Sequence, residues 1–382
     1  MKIPYIRVGT LYLKKVLAPT ITGEFVEILV IWNVDTIKQD EGRDYLGLIP
    51  KYDGFTCIPD HINYKEVYGT FYNTYFPLLT TPIEGNVTTT LSFIKHIFGK
   101  QVELGLDYLQ LLYLKPTQML PILCLVSQER ATGKSTFLKW LRKVFGNNMT
   151  YILNESFSSQ FNSDWTHKLL ICIDEVLFNA VELTERLKNL STTDSFKVES
   201  KGKDKREIEF FGKFILCSNN ETNFIKIDAD EIRFWVVKVP SIGKMDVNLL
   251  DKLTSEIPAF LHYLQNREMS VVKPLTRMWF TAGQIRTKAL ERLILNNRSN
   301  TEKELATLLI SVMETHEKTE IQACPNDLLN ALAKTRVKTN LTEVRRLLKN
   351  VWKLEPQNNS NKYEKSHQTV IKIKNDDASI LL

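Results

Sequence analysis

The sequence predicts an α/β fold: a mainly parallel sheet bearing a phosphate-binding loop, with an N-terminal accessory region before it and a small basic domain after it. Three observations predict this. Short runs that are apolar on both faces, Ile122–Val126, Leu169–Ile173, Phe214–Cys217 and Phe234–Val237, alternate with helical stretches over 121–239, the pattern of a sheet covered on both sides. The first run leads into Thr132-Gly-Lys-Ser135, and the second ends in Asp174 and Glu175. The 382 residues are 43% apolar and 25% charged, globular values that exclude collagen, coiled coil and wholesale disorder and leave room for two or three domains.

Along the chain, residues 1–85 form the accessory region, rich in strand and turn signals: Phe25–Trp32 is an apolar run and Asp53-Gly54 a turn pair. Its aromatic cluster (Tyr52, Phe55, Tyr64, Tyr68, Phe71, Tyr72, Tyr75 and Phe76) reads as packing in a small domain, although aromatics also stack on bases. Residues 86–268 hold a helical lead-in and the α/β core. Leu91, Phe93, Ile94, Ile97 and Phe98 carry helical spacing, as do Leu106, Leu109, Leu111 and Leu112 after Gly99. Within the core, Ser135–Phe145, closed by Gly146, and Val181–Leu190 are helices between strands. Residues 245–300 read as helix broken near Pro274, with 269–300 as a helical linker.

The last block, 301–382, resets the pattern. Leu305, Leu308, Leu309, Val312 and Met313 share a helix face, and Asn326–Lys334 follows Pro325. Asn340 N-caps a third helix through Lys349, with Glu343 three residues on. Two β-rich stretches, Val351–Leu354 and Thr369–Lys374, flank a polar turn. Three helices and two strands with a polar tip resemble a winged helix. Residues 331–374 carry eleven Lys or Arg against three acids, and Arg345, Arg346 and Lys349 lie on one side of the third helix, suited to a DNA groove or backbone. A basic protein-interaction module is the other reading.

The chemistry concentrates at three strand ends. In Gln128-Glu-Arg-Ala-Thr-Gly-Lys-Ser-Thr136, backbone N–H groups and the start of the following helix suit the phosphates of ATP. Lys134 suits the β/γ oxygens and the Ser135 hydroxyl a Mg²⁺ ion. The loop departs from the general pattern, which has glycine where Gln128 stands and often where Ala131 stands. Asp174 suits the Mg²⁺ shell and Glu175 the attacking water. Asn219, after Phe214–Cys217, suits the γ-phosphate or that water. Each alone is a strand-ending polar turn; the three together suit one nucleotide at the C-terminal edge of the sheet.

Thr132-Gly-Lys-Ser135, Ile173-Asp-Glu175 and Ser218-Asn-Asn220 together resemble the superfamily 3 helicases, hexameric AAA+ ATPases, and more narrowly the ATPase half of phage and large-DNA-virus primase-helicases. The resemblance covers residues 90–240. It implies a P-loop AAA+ core, ATP and Mg²⁺ as cofactors, and hydrolysis with Glu175 as base and Asn219 as sensor. It also implies a β-hairpin within Ser195–Phe210, whose Lys201, Lys203 and Lys205 would track the phosphates of DNA. Arg233 takes the place of an arginine finger reaching a neighbour's ATP, so the resemblance implies a homo-oligomer, expected to be a hexamer.

The expected function is ATP-driven translocation on single-stranded or forked DNA during replication of a phage or mobile element, alongside a separate primase or polymerase. An initiator or loader without processive unwinding shares every ATPase residue. A non-hydrolysing DNA-binding scaffold accounts for Gln128 and Ala131 but gives Lys134, Asp174 and Glu175 no task. A small-molecule kinase gives the hairpin and Arg233 none. The net charge of +6 permits a polyanionic partner without demanding one. The five cysteines (57, 124, 172, 217 and 324) have no metal-ligand or CxxC spacing, as expected of a reduced protein of a bacterial host's cytoplasm. No signal peptide and no stretch of membrane-spanning length is expected.

Overall fold

A computed structural model of the chain describes residues 3–19, 25–159, 162–178, 180–199, 206–228, 231–243, 246–335, 337–354, 361–363, 366–368 and 371–374. It divides into two compact units, Met1–Asn220 with Arg233–Ile285, and Glu221–Ile232 with Arg286–Leu382.

In the first unit, the N-terminal strands Tyr5–Val8, Leu11–Pro19 and Phe25–Ile31 form an antiparallel meander, with Lys51–Tyr52 added parallel to the first. A three-stranded sheet of Gly54–Thr56, Phe71–Asn73 and Val67–Tyr68 follows. The aromatic cluster packs. Tyr52 and Phe55 meet Tyr72 at 5.3 and 6.4 Å, and Tyr75 joins the main core, its hydroxyl 2.6 Å from Nε2 of His61. Phe71 stays exposed.

The main core begins with α1 (Thr88–Phe98) and α2 (Val102–Leu114). Then come β1 (Ile122–Val126), α3 (Lys134–Phe145), β2 (Met149–Tyr151), β3 (Leu170–Ile173), α4 (Val181–Thr192), β4 (Lys213–Ser218) and β5 (Phe234–Lys238). The five strands form one all-parallel sheet in the order β5-β1-β4-β3-β2. Every residue of β1, β3 and β4 is buried, because parallel crossovers lay helices on both faces. The short edge strand β2 is absent from the sequence reading: Met149-Thr-Tyr151 has too little apolar content to stand out. Ser195–Val198 and Arg206–Glu209 form an antiparallel hairpin between α4 and β4. Its root is fixed by Trp165 and Phe210 around Phe196.

α5 (Leu249–Ser255) and α6 (Ile257–Asn266) follow the sheet. The break near Pro274 is wider than the sequence suggests, running from Arg267 to Thr281. Fully buried Asp107 on α2 is the reason. It accepts hydrogen bonds from Nη1 of Arg267 at 2.5 Å, Oγ and N of Ser270 at 2.7 and 3.0 Å, and N of Val271 at 3.1 Å. A carboxylate serving four donors outside a helix holds that segment extended. Asp107→Ala removes one of the guanidinium's two carboxylate partners, leaving Glu103 at 2.7 Å, strips the Ser270 and Val271 donors of their acceptor, and is expected to cost about 1–3 kcal/mol. Urea unfolding with an unchanged midpoint would contradict this.

Lys213, at the start of β4, is buried and donates to the carbonyls of Pro116 and of Phe211. Burial pushes its ammonium down to about 7. Between that value and the ordinary 10.5 the unfolded chain binds the extra proton, so the contribution of Lys213 to stability rises with pH across this window. Stability relative to Lys213→Met is expected to rise by on the order of 3 kcal/mol from about pH 6 to about pH 10. A difference that stays flat over that range would count against it.

In the second unit, α7 (Lys288–Asn297), α8 (Asn300–Thr315), α9 (Pro325–Leu332) and α10 (Leu341–Arg346) surround Leu305, Leu309, Leu332, Val344, Leu348 and Trp352. Asn340 caps α10 as read, its Oδ1 accepting from N of Glu343 at 2.9 Å. Val351–Leu354 is not a strand. The helix continues as a wider turn to Val351, and Trp352 is buried with its indole donating to Glu302 at 3.3 Å. Its apolar residues thus serve a helical core rather than a pleated face. β6 (Glu320–Ala323) pairs antiparallel with Ile371–Lys374, and Asn361–Tyr363 pairs antiparallel with Ser366–Gln368.

Candidate active site

In a parallel sheet all strands end on one edge, so the segments after β1, β3 and β4 are neighbours by topology. β4 lies between β1 and β3. Hydrogen bonds tie the three ends together: Ser127 N donates to the Ser218 carbonyl at 3.2 Å, and Val176 N to the Cys217 carbonyl at 2.8 Å.

The loop after β1 is shaped by two left-handed residues, Ala131 (φ 54) and Gly133 (φ 89). Gly133 serves twice, since a Cβ there would meet Phe93 at 3.1 Å and Ile242 at 3.2 Å. Ala131 adopts the backbone that glycine takes freely, at about 1–2 kcal/mol of local strain. At Ala131 the departure from the glycine pattern therefore carries a local backbone cost. Gln128, Glu129, Arg130 and Ala131 are exposed, while Thr132 and Lys134 are buried, with Nζ of Lys134 3.2 Å from Oγ1 of Thr132. Ser135 and Thr136 stand in the first turn of the twelve-residue α3, whose opening N–H groups suit an anion.

Across the edge, Ser135 Oγ donates to Oδ2 of Asp174 at 3.2 Å. This contact joins residues from two different strand ends. Hydroxyl and carboxylate are oxygen donors of the kind a hard cation takes, and Mg²⁺ keeps several waters besides one or two protein ligands. Among the described residues no three His, Cys, Asp or Glu side chains gather into a metal cluster. Glu175 is exposed beside Asp174 with a left-handed backbone, φ 58. A strained, exposed carboxylate at a strand end is the kind of outlier that accompanies function. Asn219 is exposed one residue beyond β4. Behind this edge, burial pushes the thiols of Cys124, Cys172 and Cys217 up, so they stay protonated and act as core apolar groups.

Arg233 is not brought to this cluster. It precedes β5, and its carbonyl accepts from N of Ile122 at 2.8 Å at the start of β1. β5 is five residues long, so Arg233 stands roughly 17 Å along the sheet from the loop edge of its own chain. Of the residues proposed for DNA, Lys201, Lys203 and Lys205 lie outside the described residues. In the second unit, Arg345 and Lys349 are exposed four residues apart, whereas Arg346 pairs with Glu343 at 2.9 Å.

Sequence reasoning missed three supports. His96 of α1 places Nε2 3.0 Å from the Thr132 carbonyl, Ile242 N donates to the Ala131 carbonyl at 3.1 Å, and Asn154 donates to the Glu175 carbonyl at 3.4 Å. All three act on backbone carbonyls from distant segments, which leaves no local sequence signal.

Comparison with known proteins gives a match to a family model over part of the chain, and a fold. Residues 125–233 match a family of unknown function, DUF5906. No curated protein matches the chain. Among solved structures, the apo C-terminal region of NrS-1 (305–718) superposes with a TM-score of 0.65 at 15% identity, covering 97% of this chain and 95% of that one. The A form of the same apo region gives 0.64 at 16% identity, over 96% and 95%. At this identity the likeness is one of fold. No described helix is long and apolar enough to cross a membrane.

Proposed function

We propose that this chain is a superfamily 3-type AAA+ ATPase that moves along single-stranded DNA during replication, separating duplex as a homo-hexamer. The observation that carries the reading is the 3.2 Å contact of Ser135 with Asp174, made where a strained loop, an acidic strand end and Asn219 share one edge. The family match spans the same residues, and the fold is that of the C-terminal region of NrS-1.

In this reading the loop N–H groups and Lys134 bind the phosphates of ATP. Ser135 and Asp174 hold Mg²⁺, which when bound neutralises phosphate charge. Glu175 takes a proton from the attacking water as its oxygen bonds to the γ-phosphorus; the bond to the bridging oxygen breaks and ADP leaves. Asn219 orients the water or senses the γ-phosphate, and Arg233 serves a neighbouring subunit. In the second unit, α8, α9 and α10 with the antiparallel strands are read as a winged-helix-like domain whose exposed Arg345 and Lys349 suit the DNA backbone.

The test is ATP hydrolysis by the purified protein with and without single-stranded DNA, followed by unwinding of a forked duplex. DNA-stimulated hydrolysis with unwinding is expected. Stimulated hydrolysis without unwinding would make it a loader. No hydrolysis in either condition would leave a DNA-binding scaffold.

A further inference from the structure

One recess near the sheet lies away from the phosphate loop. A cleft of ≈ 710 Å³ opens by the linker between α2 and β1, close to where β1 and β4 start. Lys115 enters it from that linker, and Lys273 and Arg277 from the segment pinned by Asp107. All three are exposed, and among the described residues none is ion-paired. Two are held in place, since the ammonium groups of Lys115 and Lys273 lie 5.0 and 6.0 Å from the ring centroid of buried Trp279. Asp60 and Asp194 also line the cleft, but Asp60 is engaged by the N–H groups of Ile62 and Asn63. Beneath the floor, the carbonyl of Pro116 accepts from buried Lys213. Three cations thus converge from two segments, against two carboxylates. The volume is in the range that holds a small ligand.

We propose that this cleft is a second phosphate site, separate from the phosphate loop, that takes a nucleotide unit through Lys115, Lys273 and Arg277. A nucleic-acid strand is the favoured source. Asp194 both lines the cleft and closes the root of the 195–209 hairpin, its carbonyl accepting from N of Phe210 at 3.0 Å. The cleft therefore borders the element read as gripping DNA, and in this it rests on the proposed function.

The experiment is equilibrium binding of labelled oligothymidylate, and separately of ADP, to the full chain and to the triple variant Lys115→Gln, Lys273→Gln, Arg277→Gln. Circular dichroism establishes that the variant is folded. If a strand fills the cleft, the slope of log affinity against log salt falls by about 2, at roughly 0.7 per lost phosphate contact. Loss of one of two bound ADP molecules, with oligothymidylate unaffected, would assign the site to free nucleotide. Unchanged binding of both overturns it. Trp279 emission is a second readout: ligand binding shifts it in the full chain and not in Trp279→Phe, and no shift counts against the cleft. Since neither measurement uses turnover, the site can stand if hydrolysis is absent, and fall if hydrolysis and unwinding are present.

Discussion

Arg233→Ala is expected to lower ATP turnover about 10³–10⁵-fold, the worth of an arginine finger in phosphoryl transfer, while leaving assembly and nucleotide binding in place. The reason is position. Arg233 stands at the start of β5, and the loop edge lies a full strand away in the same chain. On the proposed function, a charge there would act on ATP across a subunit interface. Mixing is the sharper experiment. On the proposed function, Lys134→Ala alone is expected to be inactive because the loop would lack its phosphate cation, and Arg233→Ala alone because each site would lack its neighbour's guanidinium. Mixed, some interfaces combine an intact loop from one subunit with an intact arginine from the next, and activity should return. Mixtures as inactive as their components, in oligomers shown to exchange, would remove the finger.

Glu175→Gln is expected to cost about 10²–10⁴ in turnover, the contribution of a positioned general base. The amide keeps shape and hydrogen bonding but cannot take a proton from water. ATP binding, which draws on Lys134 and the loop N–H groups, should persist, so the variant should hold ATP without turning it over. Glu175→Gly is the companion. With φ at 58, glycine relieves strain that glutamate bears, so this variant should be equally inactive yet at least as stable to urea. Activity near normal in Glu175→Gln would move the base elsewhere; marked destabilisation of Glu175→Gly would show that the side chain is structural.

How far the sequence could be read follows from the range of the forces involved. β1, β3, β4 and β5 were legible because burial on both faces forces unbroken apolar runs, and each was placed within a residue or two of its observed ends. The edge strand β2, with one partner and three residues, imposes no such run. Val351–Leu354 misled because four residues with three apolar ones fit a strand or a helix end equally, and only Trp352 reaching Glu302 distinguishes them. At the site, Lys134, Ser135, Asp174, Glu175 and Asn219 announce themselves by residue type at strand ends. His96, Ile242 and Asn154 do not, because they support backbone carbonyls that any residue would present. Asp107 and Lys213, the two buried charges with the largest stability consequences, were also silent, since nothing local tells a buried charge from an exposed one.

The strand order has a consequence in time. β1 is the first core strand made, yet its neighbours are β4 and β5, with Leu123 opposite Ile215 on one side and Trp235 on the other. Non-local pairing of this kind is slow, because loop closure precedes the contacts that reward it. During synthesis β1 therefore waits, unpaired on both sides until residue 218 has been made and open on its second side until residue 238. The apolar face of β1 is exposed for the longest interval of any core strand, and on the proposed function the nascent chain is expected to hold no ATP before then. A ribosome-bound chain ending before Phe234 should accordingly be captured by chaperones and retain no nucleotide, and one extended well past Lys238 should bind it.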